Sequence, residues 1–315
     1  MKYTVIIDSV AALPESLIKA RPIEVLPVTI NINGVPQPDN IDESGLIDIY
    51  TSGSLSIKSE ISTAPPSSEQ IQEFILTRVV PYSDFAICQS LSKTTSPIYD
   101  NFADVEVQIA KKAREVRAKL GIETPFRMTT LNTGTTIAGQ GLVAIYGDLL
   151  LNKGTDLQDY TKAIDKFTKL VKTYVIVRDL LYTRKRSIEK GVKTVGIGAA
   201  LIGKTAGLTP IVEICNDVVT PISTKRGFEN ALDQLVEYAI DRIKDGLYAP
   251  VVNISYAGDL ADLYSLSQIK KLQKVAKQHK VKVFFGIMGL ASSSVYGPGG
   301  FSIGIAPKNQ ADKPG

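Results

Sequence analysis

One histidine, two cysteines and no tryptophan occur in 315 residues, and each scarcity narrows the possible chemistry. The histidine, His279, lies in a lysine-rich helical run between Gln278 and Lys280, a solvated position, so Ser-His-Asp catalysis has no imidazole to serve as its base. Cys88 and Cys215 sit apart in apolar, strand-like runs with no CxxC pair, which indicates neither a disulfide framework nor a zinc site. No apolar run approaches the ~18 residues of a membrane span. The opening MKYTVIIDS meets Asp8 before a secretory leader can form, and the expectation is a cytoplasmic protein with no stable membrane insertion. The 36 basic and 32 acidic residues leave a net charge near +4, too mild to argue for nucleic acid.

What is present is enough apolar content, 44%, for two ordinary cores. Residues 3–7, YTVII, form a continuous apolar run that ends at Asp8-Ser9, the pattern of a parallel strand buried on both faces. Pro14 opens a helix through PESLIKAR. IEVLPVTINING reads as a strand with an edge or bulge at Pro27 and a turn at Asn33-Gly34. Asp42 or Ser44 caps a helix through GLIDIYT. Residues 51–68, ending in ISTAPPSS, read as a connecting loop before the helix SEQIQEFILTRV. Strand 84–89, helix 97–119 with KKAREVRAK on a solvated face, and a strand, Gly/Thr-rich turn and apolar helix ending at Gly154 follow.

This alternation predicts an N-terminal parallel-sheet α/β domain with ligands at the carboxyl ends of its strands. The second half has short strands in succession, an Asn216-Asp217 turn and the regular apolar stripe of FENALDQLVEYAIDRI, which predict a mixed-sheet α/β domain with helices on one side. The expected limits are 1–155 and 156–306, with 307–315 a disordered tail.

The stretch that carries chemistry is DFAICQSLSKTTSPIY, from Asp84 to Tyr99. Ser90, Ser92, Thr94, Thr95 and Ser96 crowd the turn between a buried strand and a helix start, where unpaired N–H groups and the helix dipole favour an anion. Ser62 and Thr63 are expected to point into the same pocket. Other motifs are weaker. Asp8 is a helix cap or a metal ligand, with the cap favoured. Gly139-Gln140-Gly141 and Gly196-Ile197-Gly198 do not extend to GxGxxG. GAALIGKT, residues 198–205, matches the letters of a phosphate loop, but AALI is apolar and AGLTP stops the helix that such a loop must launch.

Taken together, the motifs resemble the DegV family of bacterial fatty-acid-binding proteins. Asp8-Ser9 with Ala12-Leu13-Pro14 is similar to that family's DSxxDLP, Asp39 with Asp42 to DGxD, and Ser62-Thr63-Ala64-Pro65 to TSQPS. Ser92 to Ser96 with Tyr99 resembles SSGLSGTY. Leu181 to Lys185 looks like EYLRKGGR, Leu201-Ile202-Gly203 through Pro210-Ile211 like LLGxxLxxKPI, and Gly297-Pro298-Gly299 like the closing GPG. Four departures stand out. Val295 and Tyr256 replace family histidines, Lys93 and Pro97 accompany the loss of two glycines, and Arg186-Ser187 replaces GG.

The resemblance implies two α/β domains of DegV type with no cofactor and no catalytic role. A long-chain fatty acid would lie in a buried tunnel, its carboxylate at the domain interface on Ser62, Thr63, Ser92 and Ser96, with Gly297 and Gly299 beside it. It further implies presentation of the carboxylate to an ATP-dependent kinase subunit for acyl phosphate formation, with Arg184 at the partner contact. The alternative is a small-molecule phosphotransferase or hydrolase that uses Asp8 or Lys204.

Overall fold

The computed structural model describes residues 2–189, 207–311, 313 and 314. In the N-terminal region β1 (Tyr3–Asp8), β2 (Ile23–Leu26), β6 (Phe85–Ser90) and β7 (Arg127–Asn132) form a parallel sheet of order β2-β1-β6-β7. Central β1 and β6 are almost wholly buried, as continuous apolar runs require. Helices α1 (Glu15–Ala20), α2 (Glu43–Thr51), α3 (Ser68–Arg78), α4 (Ile98–Lys119) and α5 (Ile137–Asn152) belong to the same region. Pro14 occupies the N-cap of α1, and Asp42 caps α2 through the Gly45 N–H. Ser67 and Gln70 close a capping box on α3.

The run read as one strand through Pro27 is divided between two sheets. β2 ends at Leu26, and β3 (Thr29–Ile32) starts a separate antiparallel sheet, β4-β3-β5, with β4 (Val35–Pro38) and β5 (Ile61–Ala64). Proline has no N–H to donate, so the ladder stops at Pro27 and the chain changes direction. Asn33 and Gly34, both at positive φ, make the β3–β4 turn. β5 corrects the reading of 51–68 as loop: Ile61 to Ala64 pair with Ile32 to Thr29. The KKAREVRAK face is corrected too. Arg117 is buried, its guanidinium bonded to Asp84 Oδ1 at 2.7 Å and to the Val80 and Ser83 carbonyls.

The C-terminal region contains α6 (Leu157–Thr168), β8 (Lys172–Ile176), α7 (Leu180–Glu189), β9 (Leu208–Cys215), β10 (Val218–Arg226), α8 (Phe228–Asp245) and β11 (Val251–Tyr256). It continues with α9 (Leu260–Ser265), α10 (Ser267–Gln278), β12 (Lys282–Ile287), α11 (Leu290–Tyr296) and β13 (Phe301–Ile305). The sheet runs β10-β9-β8-β13-β11-β12 and is mixed, with β11 and β12 the parallel pair. Helices cover both faces rather than one. Tyr174 and Ile176 of β8 pack with α8, whereas Thr173, Val175 and Val177 face the other way, toward α5 and its start.

α5 lies between the two sheets, against β1 and β6 on one side and β8, β11 and β13 on the other. That position explains Gly139-Gln140-Gly141 by packing. A Cβ on Gly139 would fall 1.7 Å from Thr173 Oγ1, and one on Gly141 would fall 2.4 Å from the Ala12 carbonyl. Gln140 between them donates to Asp8 Oδ2 at 2.8 Å. The tail read as disordered is pinned where it is described: Lys172 Nζ donates to the Gln310 carbonyl, and Gln310 Nε2 to the Leu170 carbonyl.

Candidate functional site: a hydroxyl turn at the junction of the two sheets

The turn after β6 is held from three sides. Leu91 N–H donates to Asp8 Oδ2 at 3.0 Å, Ser92 N–H to the Thr135 carbonyl at 2.7 Å, and Lys93 N–H to Asn132 Oδ1 at 3.2 Å. Thr95 closes it with N–H and Oγ1 bonds to the Ser92 carbonyl. Ser96 Oγ accepts from Ile98 N–H, the first residue of α4. The Ser92 side chain is buried. Its Oγ donates to Asp217 Oδ1 at 2.6 Å, and Asn132 Nδ2 donates to Asp217 Oδ2 at 2.7 Å. The hydroxyl turn therefore does hold a carboxylate, and in this structure it is that of the chain's own Asp217.

Asp217 arrives on the β9–β10 turn, where Asn216 and Asp217 both take positive φ, a conformation those two residue types tolerate. Its N–H donates to the Gly134 carbonyl at 2.8 Å, and Thr94 Oγ1 donates to its carbonyl at 3.0 Å. Beside this polar knot lies an apolar cluster made by Ile137, Val175, Val177, Val212, Ile214 and Met288, with Val219 and Val295 packed on it. Ile137 follows Thr135 by two residues, while Ile214 and Val219 flank the Asp217 turn. Polar and apolar parts are thus contiguous, as an amphiphile requires.

The remaining expected residues fall elsewhere. Ser62 is exposed and Thr63 half-buried on β5, which packs against α11. Gly297 and Gly299 shape the turn that follows α11 at φ +77 and +74, and a Cβ on them would meet Tyr182 and Arg178. Those residues group around α11, whereas Ser92 meets Asp217 and Ser96 meets the first amide of α4. Arg184 is exposed on α7, which also packs on α11. Val295 lies on the apolar cluster, and Tyr256 shares a small cleft with Arg178 and Phe228. Leu201, Lys204 and the rest of GAALIGKT lie outside the described residues.

Asp8 caps no helix. It is fully buried, and its carboxylate accepts from Val10 N–H, Leu91 N–H and Gln140 Nε2, which tie together the ends of β1 and β6 and α5. Burial pushes its carboxyl up to about 6, although the three donors pull the other way. Among the described residues no group of three or more His, Cys, Asp or Glu side chains is placed to hold a metal.

Three contributors escaped the sequence reading. Asp217 passed as a turn residue, and Asn132 was not singled out. Arg186 stood where the resemblance expects glycine, yet its buried guanidinium donates to the Ser56 and Ser59 carbonyls and fastens α7 to the loop before β5. Only the Asn-Asp pair between two strands carried a signal, and it indicated the turn rather than the partner.

Together these features define a two-domain mixed α/β protein with a polar turn beside a buried apolar cluster at the junction of its sheets. The chain belongs to the DegV family: the model described as "Uncharacterised protein, DegV family" matches residues 2–308. A DegV domain-containing protein of Xanthomonas axonopodis pv. citri is 28% identical over 311 residues, 99% of each chain. Among solved structures, a stearic acid-binding protein from Eubacterium ventriosum is similar with a TM-score of 0.74 at 15% identity, over 97% of this chain and 98% of the other. DegV from Bacillus subtilis, a fatty acid binding protein, is similar with a TM-score of 0.72 at 17% identity, over 98% of this chain and 100% of the other.

Proposed function

We propose that this protein binds a long-chain fatty acid, with the acyl chain against the Ile137, Val175, Val212 and Ile214 wall and the carboxylate at the Ser92 and Ser96 turn. The observation that carries this reading is the contiguity of a carboxylate-holding hydroxyl with an apolar cluster, in a chain whose structural neighbours include stearic acid- and fatty acid-binding proteins. Each buried CH₂ contributes about 0.8 kcal/mol, and the headgroup bonds supply orientation.

Ser62 and Thr63 on β5, with Gly297 and Gly299 after α11, form the second arm of the headgroup site in this proposal. The domain limit lies near 155, at the α5–α6 connection. The protein acts in the cytoplasm without catalysis of its own and presents the carboxylate to an ATP-dependent kinase subunit for acyl phosphate formation. The exposed Arg184 on α7 serves that contact.

Lipid extraction of the purified protein followed by mass spectrometry should recover a fatty acid. Ser92→Ala should lower retention about tenfold or more, the effect of one hydrogen bond to a charged group, and Ser96→Ala should lower it less. If no lipid co-purifies and added oleate is not taken up, the proposal fails. Uptake that neither substitution changes would move the headgroup away from this turn.

A further inference from the structure

Ser92 has a single hydroxyl hydrogen, and the structure spends it on Asp217 Oδ1 at 2.6 Å. A carboxylate can only accept, so while Asp217 is seated Ser92 cannot donate to a second carboxylate. Thr94 Oγ1 gives its own hydrogen to the Asp217 carbonyl at 3.0 Å, and Asn132 Nδ2 is directed to Asp217 Oδ2 at 2.7 Å. The amides nearest the turn are committed as well: Leu91 to Asp8, Ser92 to Thr135 and Lys93 to Asn132. Of the hydroxyls expected to hold an incoming carboxylate, Ser92 is thus already holding one.

The element that brings Asp217 there is built to move at low cost. β10 is an edge strand of the six-stranded sheet and contains no buried residue. The β9–β10 tip is held to the N-terminal region through polar bonds to Ser92, Thr94, Asn132 and Gly134. Lifting the Asn216-Asp217 tip alone, with Ile214 and Val219 left in the apolar cluster, breaks hydrogen bonds that water can replace. Gly134 admits the tip so closely that a Cβ there would lie 3.2 Å from Asn216 Cα.

We propose that Asp217 is a tethered stand-in for the ligand carboxylate, and that the Asn216-Asp217 turn between β9 and β10 is a latch which must release Ser92 before a carboxylate ligand is held there. This rests on the fatty-acid reading above. The latch lowers the apparent affinity for free fatty acid, because part of the binding free energy goes into displacing Asp217. It also favours retention only of ligands whose apolar tail makes up the difference, so short carboxylic acids are refused.

The test is oleate binding by isothermal titration calorimetry to the full chain and to Asp217→Asn and Asp217→Gly, two residues that keep the positive-φ turn. Asn replaces a charge-assisted bond by a neutral one, so oleate should bind about five- to tenfold more tightly, and Gly should bind at least as tightly. Hydrogen exchange at Ser92–Thr94 and Asn216–Val218 should speed up in both variants without ligand. Tighter binding with faster exchange supports the latch, as does binding by the variants when the parent chain binds nothing. Equal or weaker oleate binding by both folded variants overturns the latch while leaving the fatty-acid reading intact if the parent binds. No binding by any of the three overturns both.

Discussion

Asp8 keeps its carboxyl where no water reaches, held by the Val10 and Leu91 amides and the Gln140 side chain. Burial lifts its titration to about 6, while the unfolded chain titrates near 4. Between those values the native state holds the proton that the unfolded state has released. Stability from this residue is therefore greatest at low pH, declines as pH rises from about 4 to about 6, and levels off above. The span is on the order of 2–3 kcal/mol. Urea midpoints measured across this range should follow that slope, and Asp8→Asn should remove it while lowering stability by a pH-independent amount. A slope unchanged in Asp8→Asn would assign it to another carboxyl.

The sequence marked Asp8 as chemically unusual from its position at a strand end, but cap, ligand and buried hub share the same letter. The choice between them was made by Leu91 and Gln140, residues 83 and 132 positions away. Ser92 was legible as part of a hydroxyl turn because the hydroxyls and the strand end are local. Asp217 was not legible as its occupant, since 125 residues separate the pair.

At the scale of elements, apolar patterning was a good guide, as continuous runs in strands buried on both faces and as a stripe in helices with one buried face. β1, β6, α4 and α8 follow their apolar patterns, and the β9–β10 turn follows Asn216-Asp217. Short polar strands such as β4 and β5 were missed because exposed edges carry no alternating apolar signal. The glycines of α5 show a pattern that was visible without its reason. A methyl group at Gly139 would collide with Thr173, so Gly139→Ala should force α5 off β8 and cost about 2–3 kcal/mol, seen as a lower melting temperature. Gly139→Ala with Thr173→Ala should recover part of that loss. A neutral Gly139→Ala would mean that helix and sheet are not closely packed.

At the scale of the molecule, α5 makes two expected domains share a core. Val5 and Ile7 of β1, Leu142 and Ile145 of α5, Ile164 of α6 and Val251 of β11 lie in one buried cluster. Neither sheet can lose that helix and keep its apolar face covered, so the chain should unfold in one step. Calorimetry should give equal calorimetric and van't Hoff enthalpies; two resolved transitions would show that the domains are independent. Asp39 adds a polar tie, its buried carboxylate accepting from the Leu290 and Ala291 amides at the start of α11.

The sequence by itself determined the α/β class, the change from parallel to mixed sheet, and the hydroxyl turn at the end of β6. These follow from local apolar periods, turn residues and motif order, and each is written within a few tens of residues. Tertiary structure decided that α5 is buried on both sides, that Arg117 and Arg186 are interior anchors, and that the seat at Ser92 is filled by Asp217. Those are matters of which distant backbone comes within 3 Å of which side chain, and they are set by how the sheets stack rather than by any neighbour in sequence.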